Sequence, residues 1–319
     1  MAPTYHIPAL LQETIDGLAV KADGTYVDCT FGGGGHSRAI MALLGPQGHL
    51  IGIDRDNDAR ANAIDDKRFT FVHGNFAYMT NYLRFLAARA ENENIEESSF
   101  RKDGEPWQVD GIVADLGVSF HHFDDAQRGF SFRNDAPLDM RMNRKDALTA
   151  AKIVNEYEGE KLAWLLWNYG ELRRAKQMAA AIVKARANSP IATTGDLVQV
   201  VTPLISPARE KKELAQVFQA LRMEVNDEPW ALRRLLEQAA QALRPGGRIA
   251  IITYHSLEDR LVKNFLRSGT TSGVAEKDFF GNTTSPWQMV NRHVIIPTEE
   301  EVERNPRSRS AKLRVATRN

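Results

Sequence analysis

Short apolar runs alternate with amphipathic stretches along the first third of the chain. Residues 25–31 (TYVDCTF), 49–54 (HLIGID), 69–76 (FTFVHGNF) and 109–119 (VDGIVADLGVS) hold four candidate buried strands. After the first of them, Ala39, Ile40, Leu43 and Leu44 fall at helical spacing, and Gly45-Pro46 stops that helix. Strands alternating with helices predict a parallel, doubly wound α/β sheet. Residues 91–105 are rich in charge and poor in apolar side chains, the pattern of an exposed loop or a frayed helix end.

The pattern then changes. From about 147 to 216 no strand is evident. Leu172, Ala175, Met178, Ala179, Ile182 and Val183 fall on one helical stripe that reads as packing surface. Ser189-Pro190 breaks it, and Thr193-Thr194-Gly195-Asp196 has the form of a helix cap. Residues 229–243 form a further amphipathic helix. Arg244-Pro245-Gly246-Gly247 reads as a tight turn before a strand at 248–256, and residues 293–298 and 312–317 read as a last pair of strands. The expected organisation is therefore a discontinuous α/β domain, 1–135 and 218–319, interrupted by an all-helical insert, 136–217.

Composition narrows the function. Lys plus Arg equals Asp plus Glu, 41 against 41, so any affinity for nucleic acid must come from local basic patches. The single cysteine, Cys29, excludes an intramolecular disulfide and a multi-cysteine zinc site. The histidines show no ligand spacing, so no metal is expected. No apolar run approaches membrane-spanning length, and MAPTYHIPALLQE lacks the order of a signal peptide. A cytoplasmic address is expected.

The candidate chemistry lies at strand ends, where open α/β sheets bind ligands. Gly32 to Gly35 follow the first strand and open a helix, so backbone N–H groups can approach a ligand closely. The dinucleotide fingerprint G-x-G-x-x-G nevertheless fails. Its third glycine place is Ser37 counted from Gly32 and Arg38 counted from Gly33. Asp28 precedes the loop, and Asp54 ends the second strand, where a carboxylate can accept from both ribose hydroxyls. Taken singly, Asp28 reads as well as a cap and Asp54 as part of a solvated turn. Together, in this strand order, they point to an adenosyl ligand. Asp115 ends the fourth strand and faces the same crevice, toward the cofactor, the target or both.

These residues carry a resemblance. The chain resembles the bacterial 16S ribosomal RNA cytosine-N4 methyltransferase family, of MraW or RsmH type, nearly end to end. The shared blocks are HIPALLQE (6–13), GTYVDCTFGGGGHSRAI (24–40), GIDRD (52–56), DGIVADLGVS (110–119), RGFSF (128–132), PLDMRM (137–142), YGE (169–171), FQALRMEVN (218–226), GGRIAIITYHSLEDR (246–260) and NPRSRSAKLRVA (305–316). The resemblance implies a class I, Rossmann-like methyltransferase fold with a helical insert. It implies S-adenosylmethionine as cofactor and N4-methylation of a cytosine in the decoding region of 16S ribosomal RNA. It also implies that Gly34, Gly35, His36, Asp54, Phe76 and Asp115 contact the cofactor. Two stretches depart from the family pattern. The family usually continues DLGVS with Ser-Pro-Gln, a glutamine that helps hold the cofactor, and here His122 stands in its place as a candidate cofactor contact. A His-Pro-Ala-Thr-Arg segment usually precedes FQALR, and here Lys212-Glu213-Leu214-Ala215-Gln216 stands there.

A cytosine amine is a poor nucleophile, because its lone pair is delocalised into the ring. The protein must align it and accept from it as charge develops. Asp115 is the first candidate for holding the amine, and a purely cofactor-binding role is the alternative. His255 and Ser256 are second candidates, although His255 alone reads as readily as a structural hydrogen-bonding group. RNA contact is expected from Arg133, Arg141 and Arg144, from Arg173, Arg174 and Lys176, and from the C-terminal Arg304, Arg307, Arg309, Lys312, Arg314 and Arg318. The expected partner is 16S ribosomal RNA within the small subunit, with no DNA or membrane, and the protein is expected as a monomer or homodimer. Two other readings compete: a methyltransferase of this fold acting on DNA or protein, and a non-catalytic assembly factor with a vestigial cofactor site. The family-specific blocks speak against the first. The intact glycine loop, Asp54 and Asp115 speak against the second.

Overall fold

The structure is a computed structural model that describes residues 8–92, 105, 107–117, 126–277 and 283–319. His122 and most of the charged stretch 91–105 lie outside these residues. The chain forms two compact units, one of Met1–Gly117 with Trp230–Asn319 and one of Val118–Pro229.

The first unit is built on a seven-stranded sheet. Its strands are β1 (Thr25–Asp28), β2 (His49–Asp54), β3 (Phe69–His73), β4 (Val109–Asp115), β5 (Leu243–Thr253), β8 (Trp287–Met289) and β9 (Lys312–Arg318). They lie in the order β3-β2-β1-β4-β5-β9-β8, while β6 (Glu276–Lys277) and β7 (Thr283–Thr284) form a separate small ribbon. The strands from β3 to β5 pair in parallel, and β9 runs antiparallel to both β5 and β8. This is the expected Rossmann-like α/β architecture, with its switch point between β1 and β4.

Side chains alternate between the two faces. Tyr26, Leu50, Val113 and Ile252 pack with the helices Leu11–Leu18 and Gly35–Leu43. Their neighbours Val27, Ile51, Ile112 and Ile251 pack with Met79–Asn92, Glu228–Ala242 and Ser256–Ser268. Both faces are covered, so the central strands are apolar throughout and do not alternate with polar residues.

Several boundaries differ from expectation. β1, β3 and β4 stop at Asp28, His73 and Asp115, so the residues after them are free to form ligand loops. Arg244-Pro245-Gly246-Gly247 lies inside β5 as a bulge. Val109 pairs with Leu243 and Gly111 with Arg248, and the surplus residues are pushed out around Gly246 at φ 79°. Residues 293–298 are not a strand. Only Ile295 bridges Leu313, Pro297 lacks an N–H, and Thr298 caps the helix Glu299–Arg304. The strand beside β9 is Trp287–Met289 instead.

In the second unit the described helices are Ala150–Glu156, Gly159–Asn168, Ala175–Arg186, Thr194–Val201 and Glu210–Val225. Leu172, Ala175, Met178, Ala179 and Ile182, from the expected stripe, are buried together with Leu162, Leu166, Leu197, Phe218 and Leu221. Thr193 and Asp196 form a reciprocal capping box. Among the described residues here, the only sheet-type pairing is the isolated bridge Pro137↔Thr193. The unit is wider than the expected insert, 136–217, because its core also takes in Phe130 on one side and Ala220, Leu221 and Val225 on the other.

Candidate active site

The first unit gathers three carboxylates at the carboxyl ends of β1, β2 and β4. Asp28 is buried. Its Oδ2 accepts from Ser37 Oγ at 2.7 Å and its Oδ1 from Thr30 N at 3.0 Å. Asp54 Oδ2 accepts from Gly32 N at 2.7 Å, and Oδ1 accepts from Asp56 N at 2.8 Å. These bonds pin the glycine loop to β2. The Asn62 amide adds a bond to the Gly32 carbonyl at 2.9 Å. Thr30 ties the same loop to β4, since its Oγ1 accepts from Asp115 N at 2.7 Å.

The loop needs glycine at Gly34. Its φ is 75°, and a Cβ there would lie 3.0 Å from Phe31 Cζ. Phe31 is itself wedged between Phe69 and Phe71. The helix Gly35–Leu43 starts directly after, so its free N–H groups open onto the crevice.

Burial dominates the electrostatics. It pushes the Asp28 carboxyl above its ordinary range, with the bonds from Ser37 and Thr30 opposing. It lifts Asp54 to about 6 against the two backbone N–H donors, with Asp56 and Asp28 adding repulsion. Asp115 is lifted to about 7, again by burial, with a hydrogen bond from Tyr254 opposing and Asp28 and Glu258 adding repulsion. Each site stores unfavourable carboxylate energy that a donor-rich, cationic ligand would relieve. His36 is driven down to about 4 by burial, so its ring is neutral near pH 7. Its Nδ1 lies 3.9 Å from Asp115 Oδ2, too far for a hydrogen bond. Two buried atoms in this cluster, Asp115 Oδ1 and His36 Nε2, have no hydrogen-bond partner. Orphans of this kind mark a place where a ligand's polar groups belong.

The other expected residues divide. Phe76 follows the capping Asn75 at the end of β3 and packs partly buried against the sheet. His255 caps the helix Ser256–Ser268, its Nδ1 facing Glu258 N at 3.5 Å and its Nε2 lying 3.0 Å from Glu258 Oε1. Arg141 lies in the second unit and is committed to its own loop. It makes a bidentate pair with Asp139 at 2.8 and 2.7 Å and donates to the carbonyls of Arg144 and Asp146. Its guanidinium is thus engaged within its own loop while staying partly exposed. Arg173, Arg174, Arg307 and Arg309 are exposed. Of the remaining C-terminal cations, Lys312 and Arg314 pair with Asp259, and Arg318 donates to the Leu243 carbonyl.

Sequence reasoning missed Tyr254, Thr30 and Ser37. Tyr254 stands one residue beyond β5, the same kind of strand-end place that singled out Asp54 and Asp115. The signal was available there, whereas Ser37 was seen only as a missing glycine.

The profile of the MraW methylase family matches residues 3–319. A protein of Bacteroides thetaiotaomicron named ribosomal RNA small subunit methyltransferase H is 55% identical over 313 residues, covering 98% of this chain and 97% of its own. A protein of the same name from Parabacteroides distasonis is 54% identical, with the same shares covered. Among solved structures, a putative rRNA methylase of Clostridium thermocellum aligns over 98% of both chains, with 13% identity and a TM-score of 0.42. With the family matched from near one end of the sequence to the other, and half or more of the residues shared with these relatives, the chain belongs to the MraW methylase family.

Proposed function

We propose that this protein methylates N4 of a cytosine in the decoding region of 16S ribosomal RNA, using S-adenosylmethionine. The observation that carries the reading is the trio Asp28, Asp54 and Asp115 at adjacent strand ends, buried and raised, beside the orphaned Asp115 Oδ1 and His36 Nε2. The relatives' name supplies the substrate class.

The cofactor fits these residues by its donor set. Its ribose hydroxyls and α-amino group donate, and its sulfonium is cationic. Asp54 uses one place on each oxygen for backbone N–H groups, and a carboxylate offers about four, which leaves room for the ribose. Gly34, Gly35 and the helix start supply close backbone approach, and Phe76 and His36 line the same strand ends. When bound, the cofactor supplies an activated methyl group. Asp115 then accepts an N–H of the target amine through Oδ1, orients the nitrogen lone pair and takes up the proton that the product amine must lose.

Exposed Arg173, Arg174, Arg307 and Arg309 serve as phosphate contacts, with the target nucleotide splayed out of its stack. No described helix is long and apolar enough to cross a membrane, and the reaction takes place in the cytoplasm, on the small subunit. Mass-spectrometric mapping of methylated cytidines in ribosomal RNA from cells with and without the protein tests the assignment. An unchanged decoding-region cytidine in the deletion would overturn it.

A further inference from the structure

Tyr254 is placed by three independent constraints. In the parallel pair β4–β5, Asp115 stands opposite Ile252, and Leu116 N donates to the Ile252 carbonyl at 2.9 Å. Tyr254, two residues beyond Ile252, therefore comes level with Gly117, just past Asp115 at the same strand ends. The Tyr254 backbone N–H donates to buried Glu258 Oε2 at 3.1 Å, which fixes the strand-to-helix corner. The chain turns across the ring at Gly117, where φ is 109° and a Cβ would lie 3.3 Å from Tyr254 Cδ2. Held this way, Tyr254 acts on its neighbour: the Asp115 carboxyl, raised by burial, is held down in part by a hydrogen bond from Tyr254.

We propose that Tyr254 is a positioning residue for the methyl transfer, whose hydroxyl donates to Asp115 and so turns the unpartnered Oδ1 toward the target amine. The inference rests on the proposed cytosine reaction and assigns Tyr254 a place in it. The phenol is a permanent donor, because burial and the charges of Asp115, Glu258 and Glu301 push its ionisation far up. The groups facing Asp115 are Tyr254 from the end of β5, His36 from the helix Gly35–Leu43, Asp28 from β1 and Glu258 from the helix Ser256–Ser268. Neutral His36 gives no ion pair, and Asp28 and Glu258 only raise the cost of charge on Asp115. Among these four, Tyr254 is the group that eases it. Without the hydroxyl, the carboxylate that must accept the amine's N–H would be protonated over a wider pH range.

The test is the pH profile of kcat/KM on small ribosomal subunits lacking the modification, with saturating S-adenosylmethionine. Tyr254→Phe should shift the acidic limb upward by roughly one to two pH units, the scale of one hydrogen bond to a charged group. Replacing Tyr254 with 3-fluorotyrosine, a stronger donor of the same shape, should move the limb the other way. Calorimetric cofactor affinity and thermal midpoint should stay near wild type for the fluorinated protein, which guards against a folding artefact. A uniform fall in rate with both limbs unmoved would assign Tyr254 a purely structural role and overturn the proposal. Wild-type protein that fails to methylate the subunits would instead overturn the proposed reaction.

Discussion

Gly32 N donates to Asp54 Oδ2 at 2.7 Å, so the carboxylate expected to hold the cofactor ribose also anchors the glycine loop. Asp54→Ala should therefore do two things. It should weaken S-adenosylmethionine binding by about 1.5–3 kcal/mol, the scale of hydrogen bonds to a charged acceptor, and it should loosen the loop. Calorimetric titration measures the first and amide exchange at Gly32 to Gly35 the second. NAD should give no signal with wild type, and tight NAD binding would contradict the assignment.

Cofactor binding should release protons. Asp54 sits at about 6 and Asp115 at about 7 in the ligand-free protein. Donors and positive charge favour the ionised carboxylates, so binding lowers both values. Between pH 5 and 7 affinity should rise with pH. Titrations near pH 6 in buffers of different ionisation enthalpy should show proton release, and identical heats in both buffers would refute the linkage.

Stability of the ligand-free protein should run the opposite way. A carboxyl raised by folding binds more protons in the native state than in the unfolded one between its ordinary range and its raised value. The stabilising contribution is complete below about pH 4 and is lost as pH rises through about 6 for Asp54 and about 7 for Asp115. Asp54→Asn should flatten that decline. Urea unfolding from pH 5 to pH 8 compares the two proteins, and parallel curves would show that Asp54 contributes nothing to it.

Gly34→Ala should cost about 1–2 kcal/mol from the left-handed backbone alone. The clash with Phe31 adds to this, because that ring is held by Phe69 and Phe71. Differential scanning fluorimetry should show a lower midpoint, and cofactor affinity should fall with it. Full affinity would mean that the loop relaxes freely.

The arginines should separate by role. Arg141→Ala breaks the clip on Asp139 and should destabilise the second unit while leaving the salt dependence of subunit binding intact. Arg307 and Arg309 changed together to Ala should lower the salt slope of subunit binding by roughly 1.4 to 1.8. Filter binding to small subunits across a salt series distinguishes them. An unchanged slope for the double variant would remove the C-terminal arginines from the interface.

Much of this was legible in the sequence because it rests on local physics. The strands β1, β2 and β4 are short apolar runs, and Asp54 and Asp115 announce themselves by ending such runs. The capping box at Thr193 and Asp196 follows from spacing alone. What was not legible depends on partners far along the chain. Residues 293–298 have the composition of a strand, yet the place beside β9 goes to Trp287–Met289. Arg141 looks like any other free cation until the fold brings the carbonyls of Arg144 and Asp146 around it. The same holds for Asn226, whose amide clamps Met140 and Met142 and so explains why PLDMRM and FQALRMEVN occur together.

The division of the first unit into Met1–Gly117 and Trp230–Asn319 has a consequence for biosynthesis. β4 pairs with β1 on one side and with β5 on the other, and β5 begins only at Leu243. While the intervening residues are being made, the apolar edge of β4 stays open, and it is the kind of edge that recruits strands from other chains. The helical unit can assemble from local contacts during this interval, but the sheet cannot close. Refolding from denaturant should therefore be slow and concentration-sensitive at this step, and nascent chains halted before Leu243 should be the form that most needs a chaperone.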